Sequence, residues 1–425
     1  MGKSKKEKVK FTLTHRQRLI LPVVMIGAFF EGFDFMVISL ALPFISKEYQ
    51  LNATSSSMIV SIVAIGALLA FFVVRMADRV GRKPVFLWAI IIYSILSLGT
   101  AFAPNVEIFV ACQFIARVFL VTSWALGFII MTEEFDNELR GRAVGLFQSA
   151  AAVGAIFPSL LLPLVSQTSL HWRGLYIIGA LPLILIIIWG KNLQETPRFL
   201  EMKAGMGEED AKPPLTAVFS PQFRKYIFAI MALWFFMYLC YASSMNFFSY
   251  RVVNELGWTA GQIGPVMAMA YTLGLLGYVA VGKLLDTLGR KKTAFLFFGL
   301  GSLAVIATFQ ATSYYQVMIS QIIGVFFAGT FTVLCATFTN ELFPTSIRAN
   351  ATAWGNNIIG RIGTIAAPAL VGIMQVPLHG TGNAVSVLAL APFVCIAIIA
   401  IFLPETLGYE CPEYVAPGKR NGAYI

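Results

Sequence analysis

The stretch Asp78-Arg79-Val80-Gly81-Arg82-Lys83 returns as Asp286-Thr287-Leu288-Gly289-Arg290-Lys291, 208 positions further on. Glu133 and Arg140 return at the same offset as Glu341 and Arg348, and Glu195-Thr196-Pro197 is echoed by Glu405-Thr406-Leu407 after Pro404. Matches repeated at one offset mark a duplicated unit of about 200 residues. Both copies of the six-residue string lie between corresponding long apolar runs, so the halves share one orientation, a parallel repeat.

The chain has 425 residues, 58% of them hydrophobic and 12% charged, with a mean hydropathy of +0.76. A soluble domain carries about 25% charged residues, so the solvent here is lipid. A bilayer core of ~30 Å needs roughly 20 apolar residues per helix. Hydropathy predicts spans over 19–46, 57–77, 84–103, 107–134, 141–166 and 171–190, then 225–250, 261–285, 293–311, 314–342, 349–375 and 383–403. The expected fold is an all-α membrane protein with twelve transmembrane helices in two six-helix bundles. The expected domains are a basic tail (1–18), a bundle (19–190), a linker (191–224), a second bundle (225–403) and a C-terminal tail (404–425).

The net charge of +10 reports topology rather than a nucleic-acid partner. With both termini in the cytoplasm, only Lys47, Arg173 and Arg251 of the 31 Lys and Arg fall in outer loops, and Arg117 and Arg361 lie inside spans. That asymmetry predicts a multi-pass protein of a cell membrane. The start MGKSKKEKVK is too charged to insert and no small-residue cleavage site follows, so the first helix is expected to be retained. Cys112, Cys240, Cys335, Cys395 and Cys411 lack close pairing and read as core thiols. No nucleophile–base pair, metal cluster or nucleotide loop is present, and GMGEED at 205–210 is no phosphate loop. The sequence therefore predicts neither an enzyme nor a cofactor.

Four ionisable residues lie deep in spans: Glu31, Asp34, Arg117 and Arg361. A rise of 1.5 Å per residue puts the last three ~15–22 Å from their span ends. An isolated charge there costs at least ~3 kcal/mol and needs a cavity or a partner. Glu31 and Asp34, three apart, share one helix face. A guanidinium fork binds carboxylates bidentately, so an anionic solute would satisfy Arg361 better than a sugar, with helix packing beside Gly360 and Gly363 as the alternative. Buried amides need partners, which marks Gln148, Asn246 and Asn357. Trp234, Tyr238, Tyr241, Tyr271 and Trp354 could sandwich an aromatic or short-chain acid, or serve as packing and lipid anchors.

The D-R-x-G-R-K loop, the two E-x6-R pairs and the closing P-E-T resemble the major facilitator superfamily. GFDFMVIS (32–39), QETPRFL (194–200), NELFPTSIR (340–348), GRIGTIAAP (360–368) and PETLG (404–408) are similar to its branch of sugar porters, organic-ion transporters and aromatic-acid:proton symporters. One departure is Val74, where the family's loop motif opens with Gly; Gly282 keeps that place in the second half. The resemblance implies that Asp34 and Arg117 form the proton-coupling pair; Glu31, by its place on the same face as Asp34, could share the proton or serve a structural role. It further implies that Arg361 meets a substrate carboxylate, and that Asp78, Arg82, Glu133, Arg140, Asp286, Arg290, Glu341 and Arg348 hold a cytoplasmic gate. The leading expectation is a monomeric transporter that carries a small organic anion with protons across the lipid bilayer. Sugar or polyol transport is the second reading, weakened because WFFMYLCYASSMNFFSY (234–250) lacks the paired glutamines of sugar porters. Efflux, for which Gly154 and Pro158 match only in part, and a non-transporting sensor follow.

Overall fold

Within hydrocarbon every backbone N–H and C=O must be satisfied inside the segment, which leaves helices as the form these apolar runs can take. The computed structural model describes residues 13–204, 213–409 and 411–414. It has twelve helices long and apolar enough to cross a membrane. They are α1 (His15–Glu48), α2 (Ala53–Val80), α3 (Arg82–Ala101), α4 (Val106–Glu134), α5 (Leu139–Val165) and α6 (Arg173–Asn192). The second set is α7 (Arg224–Asn254), α8 (Ala260–Leu288), α9 (Arg290–Gln310), α10 (Tyr314–Leu342), α11 (Thr345–Met374) and α12 (Thr381–Phe402). Most of the expected tails and the GMGEED part of the expected linker lie outside the described residues.

The duplication is visible in the connections. One glycine joins α2 to α3 and one joins α8 to α9: Gly81 with φ +117° and Gly289 with φ +90°. Both lie in the left-handed region that side-chain-bearing residues avoid.

Several spans are less regular than hydropathy implies. In α6 the ladder shortens to i→i+3 bonds around Ala180 and Leu181, since Pro182 brings no N–H. α10 bends at Gly329 and Thr330, and α12 turns at Ala389 and Leu390 before Pro392. In α11, residues Ala353–Gly360 wind as a π-helix, a form that wastes packing and recurs at functional positions.

Two compact units can be described separately. The first comprises 13–36, 69–158 and 173–204; the second comprises 37–68, 159–172 and the described residues from 213 on. The first is centred on Phe33, Phe86, Tyr93, Phe109, Phe147 and Tyr176, all buried. In it Gly32 lies against the Ala151 carbonyl and Gly154 against that of Phe29, so small residues let α1 and α5 approach closely. Gly154 thus has a packing role.

The second unit buries Phe247, Phe248, Phe297 and Phe298. It also contains a polar seam. Ser39 donates to the Met245 carbonyl and Ser61 to that of Ile365. Thr54 donates to the Gly372 carbonyl at 3.1 Å, and Gln375 to Ser57 at 3.3 Å. Thr54, Ser57 and Ser61 fall on one face of α2 at helical spacing, and that face meets α11. All five cysteines are free, with Cys240, Cys335 and Cys395 buried.

Candidate functional site

Chemistry-bearing residues collect in three places. The first is the short-loop end of each half. An α-helix begins with N–H groups that lack partners and a positive dipole end. Glu195 fills this role for α3, accepting from the N–H of Arg82 at 2.9 Å and of Lys83 at 3.3 Å. Glu405 does the same for α9, accepting from Arg290 at 2.7 Å and Lys291 at 3.0 Å. A Cβ on Gly81 would collide with Glu195, and one on Gly289 would come within 2.9 Å of Glu405. The glycine therefore serves both the left-handed turn and the carboxylate's approach.

The following arginine turns back to an acid at the end of α4 or α10. Arg82 lies 3.4 Å from Glu133, and Arg290 lies 2.7 Å from Glu341. Thr196 donates to Glu133 at 2.7 Å, and Thr406 donates to Glu341. Arg140 and Arg348 donate to the carbonyls of Phe135 (3.3 Å) and Phe343 (3.2 Å), closing α4 and α10 in the same way. Asp78 and Asp286 reach Arg82 and Arg290 at 3.3 and 3.5 Å but are 65% and 78% exposed, so these contacts are worth no more than ~1 kcal/mol. Asp78, Arg82 and Glu133 thus form one network and Asp286, Arg290 and Glu341 its counterpart, with Arg140 and Arg348 on the carbonyls that close α4 and α10. Glu195, Thr196, Glu405, Thr406 and Arg16, which pairs with Glu134, were missing from the gate expected from the sequence. The repeated Glu-Thr at 195 and 405 was the signal for four of them.

Glu405 gives this network a pH dependence. Burial pushes its carboxyl up, but the N–H groups of Arg290, Lys291, Leu407 and Thr406 outweigh that and hold it below the usual carboxylate range. A depressed carboxylate stabilises the fold above its unfolded pKa, and that contribution is lost as pH falls through the folded value. Glu405→Gln should therefore lower the thermal midpoint of the purified protein at neutral pH, with the gap to wild type closing below about pH 4. A gap that persists unchanged in acid would contradict this role.

The second place is the interior of the first unit. Asp34 on α1 is 5% exposed and Arg117 on α4 is 9% exposed. The guanidinium lies within Coulombic reach of the carboxylate and over the Phe35 ring, 5.8 Å from its centroid. Among the described residues, no direct ion pair closes between them and nothing donates a hydrogen bond to Asp34. Both side chains are buried in this unit, and the contact of a structural salt bridge between them is not made among the described residues. Glu31 is half-buried one turn earlier. Gln148, on α5, is exposed.

The third place is the α7–α11 side of the second unit. A Cβ on Gly355 would lie 2.9 Å from Trp234, one on Gly360 3.0 Å from Tyr238, and one on Gly363 2.7 Å from the Phe235 carbonyl. Those glycines carry the packing of α11 on α7, which leaves Arg361 free of that task. The Tyr238 hydroxyl donates to Asn356 at 3.0 Å, and Trp234 to Thr339 at 3.1 Å. Trp234, Tyr238 and Tyr241 form a ring series, with centroids 5.7 and 6.3 Å apart. Arg361 is within Coulombic reach of Tyr238 and half-buried. Among the described residues, its guanidinium has no carboxylate or carbonyl partner. Asn357, beside it on the π-helical turn, is exposed.

Tyr271 donates to the Met245 sulfur at 3.0 Å and, like Tyr241 and Ile322, packs against the buried cluster of Met245, Ala270 and Val325. Two expected substrate contacts are engaged elsewhere. The Trp354 indole, in the first turn of the π-helix, donates to the Leu215 carbonyl at 3.0 Å and meets the Phe219 ring edge-on. Asn246 spends its amide on the Ala242 carbonyl of its own helix at 2.8 Å. The π-helix itself had no local sequence signal beyond the glycines at 355, 360 and 363.

The sequence profile of the Major Facilitator Superfamily matches residues 24–368 and 235–410. A niacin transporter of Acinetobacter baylyi is 28% identical over 92% of this chain and 94% of its own length. The 3-(3-hydroxy-phenyl)propionate transporter of Escherichia coli is 27% identical over 91% of this chain and 94% of its own. Among solved structures, a D-xylose-proton symporter superposes with a TM-score of 0.75 at 17% identity, covering 92% of this chain and 99% of that one. A duplicated six-helix plan, its repeated Gly-Arg-Lys turns and a profile match across both halves together make this chain a member of the Major Facilitator Superfamily, a twelve-helix membrane transporter of small molecules and not an enzyme.

Proposed function

We propose that this protein is a proton-coupled symporter of a small organic carboxylate carrying an aromatic ring, working by alternating access. The observation that carries the reading is Arg361: a half-buried guanidinium deep in a span, beside tyrosines, without an anionic partner among the described residues. A guanidinium at that depth costs at least ~3 kcal/mol unless something pairs with it, and a carboxylate does so with two parallel hydrogen bonds. Tyr238 and Tyr241 offer ring faces for an aromatic body. The names of the niacin and hydroxyphenylpropionate transporters support the class, since both solutes join an aromatic ring to one carboxyl group.

Coupling is assigned to Asp34, helped by Glu31 and by the charge of Arg117. Arginine does not deprotonate, so the titrating member must be an acid. With Asp34 protonated, the first unit loses a buried negative charge, and the balance between its conformations changes. The polar seam along Thr54, Ser57 and Ser61 would be the outer seal, and the paired Glu–Arg networks would set conformational balance on the cytoplasmic side. Both termini are placed in the cytoplasm by the lysine and arginine asymmetry, and one copy of the chain is taken as the working unit.

Calorimetric binding to the purified protein tests the solute class. Nicotinate and 3-(3-hydroxyphenyl)propionate should bind at least tenfold more tightly than their amides, a difference of about 1.4 kcal/mol, and D-xylose should not compete. Equal affinity for acid and amide would contradict the carboxylate reading.

A further inference from the structure

On α3, the Tyr93 hydroxyl and the Ser94 hydroxyl are buried without a hydrogen-bond partner among the described residues, in side chains 1% and 0% exposed. Burying a hydroxyl unpaired is costly, and such groups are rare in native interiors. Neither belongs to the Glu–Arg networks, and no motif marks either of them.

Their neighbours follow from the packing of α1 on α3. A Cβ on Gly27 would lie 3.1 Å from the Phe86 ring and 3.4 Å from Ile90, which fixes the register of the two helices. Glu31 and Asp34 lie one and two turns beyond Gly27, and Tyr93 and Ser94 lie one turn beyond Ile90. The two helices cross the membrane in the same direction, so the unpaired hydroxyls reach the level of the two acids. That register turns Tyr93 toward the side of α1 that carries Asp34 and Glu31, and the Ser94 hydroxyl lies next to it on its own helix without the geometry of a hydrogen bond. The other titratable or charged groups on the elements around α3 are Arg117 on α4 and Tyr176 on α6, with Glu107, Cys112, Glu133 and Glu134 elsewhere on α4 and Arg173 and Lys191 at the ends of α6.

We propose that Tyr93 is a positioning residue for the coupling acid: its hydroxyl donates to the Asp34 carboxylate when that group is charged and lets go when it is protonated. This rests on the proton-coupled reading above. In the conformation described here the hydroxyl is unbonded and Asp34 receives no hydrogen bond. Pairing the two would replace two unsatisfied groups with a charge-assisted hydrogen bond, which is stronger than a neutral one. Tyr93 thereby ties the charge state of α1 to the position of α3.

The test is the pH profile of uptake in proteoliposomes for wild type, Tyr93→Phe, Asp34→Asn and the double variant, with nicotinate as the probe. A donor to a carboxylate favours the charged form, so losing it raises the acid's pKa. Tyr93→Phe should move the midpoint of proton-driven uptake to higher pH by about one unit, a tenfold gain in proton affinity. Counterflow without a gradient should stay near wild type. The double variant should match Asp34→Asn.

A wild-type profile in Tyr93→Phe, while wild type itself responds to the gradient, overturns the role of Tyr93 and leaves the coupling reading intact. Wild type that ignores the gradient sinks the coupling reading and this role with it. Failure to recover folded Tyr93→Phe also overturns it, because the hydroxyl would then be holding structure.

Discussion

Arg361→Ala should lose at least tenfold in affinity for an aromatic carboxylate, and Arg361→Lys should lose nearly as much despite keeping the charge. The reason is geometric. The ammonium is a point charge, whereas the guanidinium presents two parallel donors that match a carboxylate, and one lost charge-assisted hydrogen bond is worth about 1.5–3 kcal/mol. The loss should be selective. Amides of the same acids should gain relative to the acids in Arg361→Ala, since the unpaired cation that disfavours a neutral ligand has gone. The fold should tolerate both changes, because the contacts of α11 with α7 are made by Gly355, Gly360 and Gly363. Competition binding on the purified variants reads all of this. Unchanged acid affinity in a folded Arg361→Ala would remove the main physical support for an anionic substrate.

Asp34→Asn should keep exchange of labelled solute while abolishing accumulation driven by a pH gradient. The amide has nearly the shape of the acid but cannot titrate, so the solute site remains and the coupling goes. Removing the charge should not unfold the protein, since no direct ion pair joins Asp34 to Arg117 among the described residues. The comparison is counterflow against gradient-driven uptake in the same proteoliposomes, and wild-type accumulation by the variant would contradict the assignment.

What the sequence disclosed, and what it withheld, follows from the physics of each feature. The spans were legible because the bilayer demands long apolar runs, and the duplication because Gly81 and Gly289 are the residues their backbone angles and the neighbouring acids permit. Asp34, Arg117 and Arg361 stood out because ionisable groups are scarce at that depth. The breaks were harder to see. Pro182 explains the lapse in α6, but the π-helix of Ala353–Gly360 depends on how α11 meets α7, which no local pattern encodes. Trp354, within it, serves Leu215 and Phe219. Tyr93 was invisible for the opposite cause: a tyrosine in an apolar run reads as packing, and only its buried, unbonded hydroxyl sets it apart.

The most direct test of the central claim is nicotinate uptake into proteoliposomes holding the wild-type protein, with the outside more acidic than the lumen and protein-free vesicles subtracted. Carboxylate transport coupled to protons predicts accumulation above the equilibrium level, growth of that excess with the size of the gradient, and its collapse on adding a protonophore. Protein-dependent uptake that stops at equilibrium whatever the gradient would contradict proton coupling. Absence of any protein-dependent carboxylate uptake alongside transport of D-xylose would contradict the whole account.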